Sequence, residues 1–190
     1  MVEKVNLNKL SWFRQPQLYI LNDEKLILET EPHTDMTSFR NEEHNAFGLL
    51  EKMTDEISFR LRMDFQKMHP GDECGVLIRM SDYRWIRFGI TQRDKEVSEI
   101  FADRVIADMH DRCIREVGSG IVALYLKVEF SRGHAVLSYS MNDTRYTYFR
   151  MIDFPDRTDA AQFGVYACSR GDSYFDATFS QFEKEHKKEK

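Results

Sequence analysis

Cysteine is scarce in this chain of 190 residues: Cys74, Cys113 and Cys168 are odd in number, and no two stand in a C-x-x-C spacing. That excludes a dense disulfide framework and a clustered thiolate metal site, and it reads as reduced thiols in a cytosolic protein. Long apolar runs are missing as well. No stretch approaches the roughly 20 residues that span a bilayer, and the opening MVEKVNLNKLSWFRQ lacks the apolar centre of a signal peptide. A cytoplasmic location without membrane contact is therefore expected. Clusters of Lys and Arg are absent too, at a net charge of -5 and a pI near 5.7. This argues against nucleic acid, whose phosphates demand a concentrated basic field.

Catalytic and cofactor motifs are equally thin. There is no G-x-S-x-G, and Gly118-Ser119-Gly120 is too short for a phosphate loop and reads as a turn. The six histidines are scattered; His33 and Asp35 have the spacing of half a metal site, but no second ligand cluster accompanies them. No metal and no cofactor are expected. The alternating acids of sandwich glycosidases, E-x-D-x-E or E-x-D-x-x-E, have only Lys95-Glu96-Val97-Ser98-Glu99 as a counterpart, read here as surface charge. Cys168, before Ser169-Arg170-Gly171, has the thiol of a nucleophile but no visible base, and inert packing is its plain reading.

What the chain has is aromatic residues, 14 Phe, 8 Tyr and 2 Trp, and the two-residue period of strands. Ile57, Phe59, Leu61, Met63 and Phe65 alternate with polar residues, as do Val122, Leu124, Leu126, Val128 and Phe130. Strict alternation puts one face in a core and the other in water. Further strands are expected over 25–30, 135–139, 146–154, 162–168 and 174–182, separated by Gly, Asn, Asp and Pro turns. A helical turn is placed only within 103–117, and 38–55 reads as an irregular loop or short strand. One all-β domain over 1–182, a sandwich of two antiparallel sheets, fits this succession, with a solvated charged tail over 183–190.

The organising element is a hairpin over 74–91, with Gly75 to Met80 and Trp85 to Ile90 joined through Ser81-Asp82-Tyr83-Arg84. Its core face is read as Leu77, Ile86, Phe88 and Ile90. Trp85, Arg87 and Thr91 then point the other way, onto what would be the concave surface of a curved sheet. Two readings stay open for them. Trp85 stacks on a sugar ring while Arg87 bonds hydroxyls or a carboxylate, or Trp85 packs beneath a loop and Arg87 pairs with an acid.

Four motifs taken together, Asp72-Glu-Cys-Gly-Val-Leu-Ile-Arg79, Trp85-Ile-Arg-Phe-Gly-Ile90, Leu137-Ser-Tyr-Ser140 and Gly164-Val-Tyr-Ala-Cys-Ser169, make the chain resemble the domain of unknown function 1349 family, also labelled the regulation of enolase protein 1 family. The resemblance runs from Trp12 to about Phe179. It implies a concanavalin A-like jelly-roll sandwich, as in lectins and glucanases, and no settled activity. It also implies a polar motif at Asp35, Asp72, Glu73, Arg79, Trp85, Arg87 and Asp108. The chain departs from the family pattern where Asp35 is followed by Met36 in place of aromatics, Arg87 replaces a Lys, Thr91 replaces a Glu, and Met109 follows Asp108 in place of a Trp.

The resulting expectation is a non-catalytic protein that binds a carbohydrate or other polar small molecule on the concave sheet at Asp35, Asp72, Glu73, Arg79, Trp85, Arg87 and Asp108. The alternatives are a protein-interaction module or homodimer with Tyr125 and Tyr139 as contacts, and, ranked last, a divergent glycosidase or lyase.

Overall fold

The structure, a computed structural model, describes residues 2–36, 46–53, 56–107, 109–131, 133–153 and 161–186. The strands in chain order are β1 (Val2–Lys4), β2 (Ser11–Arg14), β3 (Tyr19–Leu21), β4 (Lys25–Glu29), β5 (Phe47–Lys52), β6 (Ile57–Phe65), β7 (Asp72–Ser81), β8 (Arg84–Gln92), β9 (Val97–Ile106), β10 (Met109–Gly118), β11 (Ala123–Ser131), β12 (His134–Ser140), β13 (Thr147–Asp153), β14 (Gln162–Ser169) and β15 (Asp176–His186). The one helical segment among the described residues is a 3-10 turn at Leu7–Lys9.

Two antiparallel sheets form a jelly-roll sandwich. Sheet A runs β13-β12-β11-β6-β15-β4-β3, with β1 added against β15, and sheet B runs β10-β9-β8-β7-β14-β5-β2. The alternation over 57–65 and 122–130 lands on β6 and β11. They pair residue for residue, Leu61 opposite Leu126 and Phe59 opposite Val128, so their apolar faces enter one core. Sheet B meets them with Cys74, Val76 and Ile78, with Ile86, Phe88 and Ile90, and with Phe163 and Val165.

Sheet B has a second buried side. On its outer face Leu50, Leu77, Trp85, Phe101, Val105, Tyr166 and Cys168 form a separate apolar cluster with Met36 and Ala46. This explains why β7, β8 and β14 read as almost continuous apolar runs, as strands covered on both faces do.

Three expectations change. Leu77 belongs to the outer cluster and not to the central core, because it pairs directly with Arg87 and directly opposed residues share a face. The helical turn placed within 103–117 is a hairpin: β9 and β10 pair along ten residues, from Ile106 opposite Met109 to Val97 opposite Gly118. Ile106, Met109, Cys113 and Val117 imitate helical spacing, and the pairing overrides it. The stretch expected to fray from Glu183 continues β15 to His186, with Glu183 opposite Arg60 on one side and Lys4 on the other; residues 187–190 lie outside the described residues.

Candidate functional site

The outer face of sheet B carries a charged cluster at its centre. Register aligns it: Glu73 stands opposite Thr91, Leu77 opposite Arg87, and Arg87 opposite Asp103 on the next strand. Arg87 is fully buried and donates from Nη1 to Glu73 Oε1 at 2.6 Å and from Nη2 to Asp103 Oδ2. The Tyr166 hydroxyl donates to the same Glu73 oxygen at 2.6 Å, and Arg170 Nη2 to its other oxygen at 2.8 Å. Asp35 stands 4.0 Å from Arg170 Nε, at the edge of the cluster.

Electrostatics fix the charge states. Burial pulls the Arg87 pKa down, but Glu73, Tyr166 and Asp103 more than offset it, and the guanidinium is held above its ordinary range. Burial pushes the Tyr166 phenol well up, reinforced by the Glu73 charge, so it remains a donor through neutral pH. Three atoms of this network, Arg87 Nε, Arg170 Nε and Asp103 Oδ1, are buried with no hydrogen-bond partner among the described residues. Buried polar groups are nearly always paired with protein or ordered water, so a donor and an acceptor on directly opposed residues are unmet here.

Beside the buried centre the face is open. The residues of β10 that point to this side, His110, Arg112, Ile114 and Glu116, are exposed. Arg112 lies over the Phe101 ring, 4.5 Å to its centroid, and 3.8 Å from Glu99. Glu99 also faces Arg93 at 3.6 Å, and His110 Nδ1 is 3.9 Å from the unmet Asp103 oxygen. The face thus grades from sealed ion network to accessible polar rim.

The sequence-derived residues separate. Glu73, Trp85 and Arg87 come together on this face, with Asp35 at the margin. Trp85 packs in the outer apolar cluster at 1% exposure, and Arg87 is paired with two acids. The stacking arrangement expected for this pair needs an exposed indole, and bulk apolar packing has covered it. Arg79 shares the face but pairs with Asp82 and lies over the Phe13 ring, 5.0 Å to the centroid. Asp72 points elsewhere: it accepts from the His69 amide at 2.7 Å and the Ser173 hydroxyl at 2.9 Å and pins two loops. Asp108 lies outside the described residues. Tyr139, expected as a partner contact, is buried and accepts from Arg115 at 2.6 Å.

Six contributors escape the sequence reading: Glu99, Asp103, His110, Arg112, Tyr166 and Arg170. Glu99, Phe101, Asp103 and Val105 alternate on one strand, which is the available signal. Reading Glu99 as surface charge breaks the series, and it is in fact largely buried.

The two acids on Arg87 bear on catalysis. Glycoside hydrolysis needs one carboxylic acid and one carboxylate flanking the bond, whereas Glu73 and Asp103 both serve as acceptors for a guanidinium between them. Among the described residues no group of three or more His, Cys, Asp or Glu could hold a metal ion, and no helix is long and apolar enough to cross a membrane. Cys74 and Cys168 are buried, and burial pushes both thiols well up, with Glu73 adding to it; Cys113 is partly exposed. Native protein is expected to release one equivalent of chromophore from a disulfide thiol reagent at pH 8 and three in denaturant. A fast native signal of two or three would contradict this burial.

The fold and its face define a jelly-roll sandwich with an ion network built into one sheet. Residues 12–187 match the family described as "Protein of unknown function (DUF1349)", and the chain belongs to it. The chain is 21% identical over 189 residues to "Regulation of enolase protein 1" of Saccharomyces cerevisiae, covering 96% of this chain and 93% of the relative. Among solved structures, a functionally unknown protein from Saccharomyces cerevisiae superposes with a TM-score of 0.86 at 19% identity, over 97% of this chain and 100% of the other. A xylan beta-1,4-xylosidase from Bacillus halodurans C-125 superposes with a TM-score of 0.69 at 13% identity, over 97% of this chain but 39% of that one. At these identities the structural likeness establishes the fold alone.

Proposed function

We propose that this protein binds a carbohydrate or other polar small molecule on the outer face of sheet B, without catalysing a reaction on it. One observation carries the reading. The buried Glu73–Arg87–Asp103 network, braced by Tyr166 and Arg170, retains an unmet donor and acceptor next to the open rim of Glu99, His110 and Arg112. A buried ion cluster is weak evidence for stability, since apolar replacements of similar volume are often as stable or more so. Its value here is a fixed layer of donors and acceptors under a partly accessible surface. Such a layer holds the rim side chains in place before a ligand arrives, which reduces the ordering cost of binding.

The charge balance favours a ligand without strong net charge. Arg87, Arg112 and Arg170 oppose Glu73, Glu99, Asp103 and Asp35, so neither sign dominates. The resemblance of the fold to part of a xylosidase supports a saccharide by analogy only. Contacts move from Trp85 and Arg87 to the rim, with Arg112 on Phe101 as the central accessible group.

Isothermal titration of neutral and acidic oligosaccharides, built from xylose, glucose or mannose, tests the reading. At least one neutral glycan is expected to bind, with Arg112→Ala weakening it tenfold or more. Absence of binding by every glycan at millimolar concentration, or unchanged binding by the variant, would overturn it.

A further inference from the structure

On the opposite side of the sandwich, sheet A is interrupted at one point. β15 pairs with β4 from Asp176 to Ser180 and then with β1 at Glu183, so its neighbour changes in mid-strand. At that change its register against β6 also shifts: Ser180 stands opposite Arg62, and Glu183 opposite Arg60. Two residues, Gln181 and Phe182, are thereby set against Leu61 alone. Phe182 turns inward and packs against Phe59, 5.8 Å between centroids. Gln181 is left outside at φ 51°, in the left-handed region that a residue with a Cβ seldom occupies.

This bulge opens a dent of about 300 Å³ in the outer surface of sheet A, at the small end of ligand pockets. Its permanent charges balance in number, Lys4, Lys25 and Arg60 against Glu24, Asp143 and Glu183: Arg60 pairs with Asp143 at 3.0 Å and Glu183 at 2.8 Å, and Lys4 with Glu24 at 3.0 Å. Tyr125 forms one wall, oriented by Arg62, which lies over its ring at 5.7 Å and donates to its hydroxyl at 3.4 Å. The groups left to meet a visitor are the Ser180 hydroxyl, the Gln181 amide, the Tyr125 ring and the Lys25 ammonium.

We infer that this dent is a second ligand site, separate from the outer face of sheet B, and that it takes a single neutral sugar or comparable polyol. A hydroxyl both donates and accepts, as do the Ser180 and Gln181 side chains. An aromatic wall suits the apolar face of a sugar ring. With three cations and three anions around it, the dent has no net field that would select an anion. Backbone strain persists where surrounding structure enforces it and gathers at binding sites; the left-handed Gln181 holds the dent open.

The test is an amide NMR titration of the full chain with glucose, mannose, xylose and N-acetylglucosamine to tens of millimolar, with phosphate as an anionic arm. At least one sugar is expected to shift the amides of Leu61, Ser180 and Gln181, and Tyr125→Ala to abolish those shifts while Arg112→Ala leaves them unchanged. Gln181→Gly, which keeps the left-handed turn without a side chain, is expected to fold with equal or higher Tm and to weaken the response severalfold. No shift with any sugar, shifts that survive both variants, or a response to phosphate alone would overturn the inference. Sugar shifts confined to β9 and β10 would also overturn it, while leaving the sheet B site intact.

Discussion

Arg87→Met is expected to destabilise the protein by about 3 to 5 kcal/mol, the usual cost of removing one partner from a buried ion cluster. For a chain of this size that corresponds to a drop in Tm of roughly 10 °C. Glu73 and Asp103 are buried to 0% and 1% exposure. Without the guanidinium both carboxylates lose their shared counter-charge in a low-dielectric layer, and the Tyr166 hydroxyl and Arg170 compensate only Glu73. The triple variant Arg87→Met, Glu73→Gln, Asp103→Leu removes the charges together, while the amide oxygen introduced at position 73 would still accept from Tyr166. It is expected to recover most of the loss in chemical denaturation. Recovery would separate the cost of stranded charge from any net stability of the network. Equal loss in single and triple variants would show that shape, not charge, matters at this position.

Gly89→Ala is expected to cost about 3 kcal/mol or to prevent folding, the upper range for forcing atoms into a packed interior. A Cβ at Gly89 would stand 2.1 Å from the Cys74 carbonyl oxygen and 2.8 Å from the Gly75 Cα. Both are backbone, so no side chain can swing aside, and Gly75 faces the same obstacle at 2.3 Å from the Phe88 oxygen. These two glycines sit directly opposite each other on the site face, between Tyr166 and Phe101. The strands therefore meet more closely than side chains allow, beneath the ion network. Gly120→Ala, where a Cβ meets nothing within 4 Å, is the control and is expected to change stability by no more than about 0.5 kcal/mol. Thermal denaturation of both variants checks the pair.

These glycines also show what was legible in the sequence. A strand period of two reads β6 and β11 correctly, because each has one wetter face and one dry face. The period fails where both faces are dry. Leu77 and Ile78 are adjacent, both buried, and belong to different clusters, so hydrophobicity could not say which faced the central core. The family motif draws attention to Glu73, Trp85 and Arg87, and the structure gathers them on one face. It could not show that Trp85 is covered, since burial on the outer face depends on what the rest of the chain lays over it. Asp72 is adjacent in sequence to Glu73 and therefore bound to point the other way along a strand; its loop-pinning bonds follow from that. Asp103 and Arg112 are hidden because Asp103 to Val117 mixes charges with apolar residues in a spacing that suits a helix as well as two paired strands.

Ligand binding on the outer face of sheet B is tested most directly by chemical-shift mapping of the amides with a glycan that titration has identified as a ligand. The prediction is a contiguous set of shifts on Glu99 to Asp103 and His110 to Glu116, with a smaller response at Arg87 and none from Leu18 to Leu21. Shifts that leave β9 and β10 untouched at saturation would contradict it.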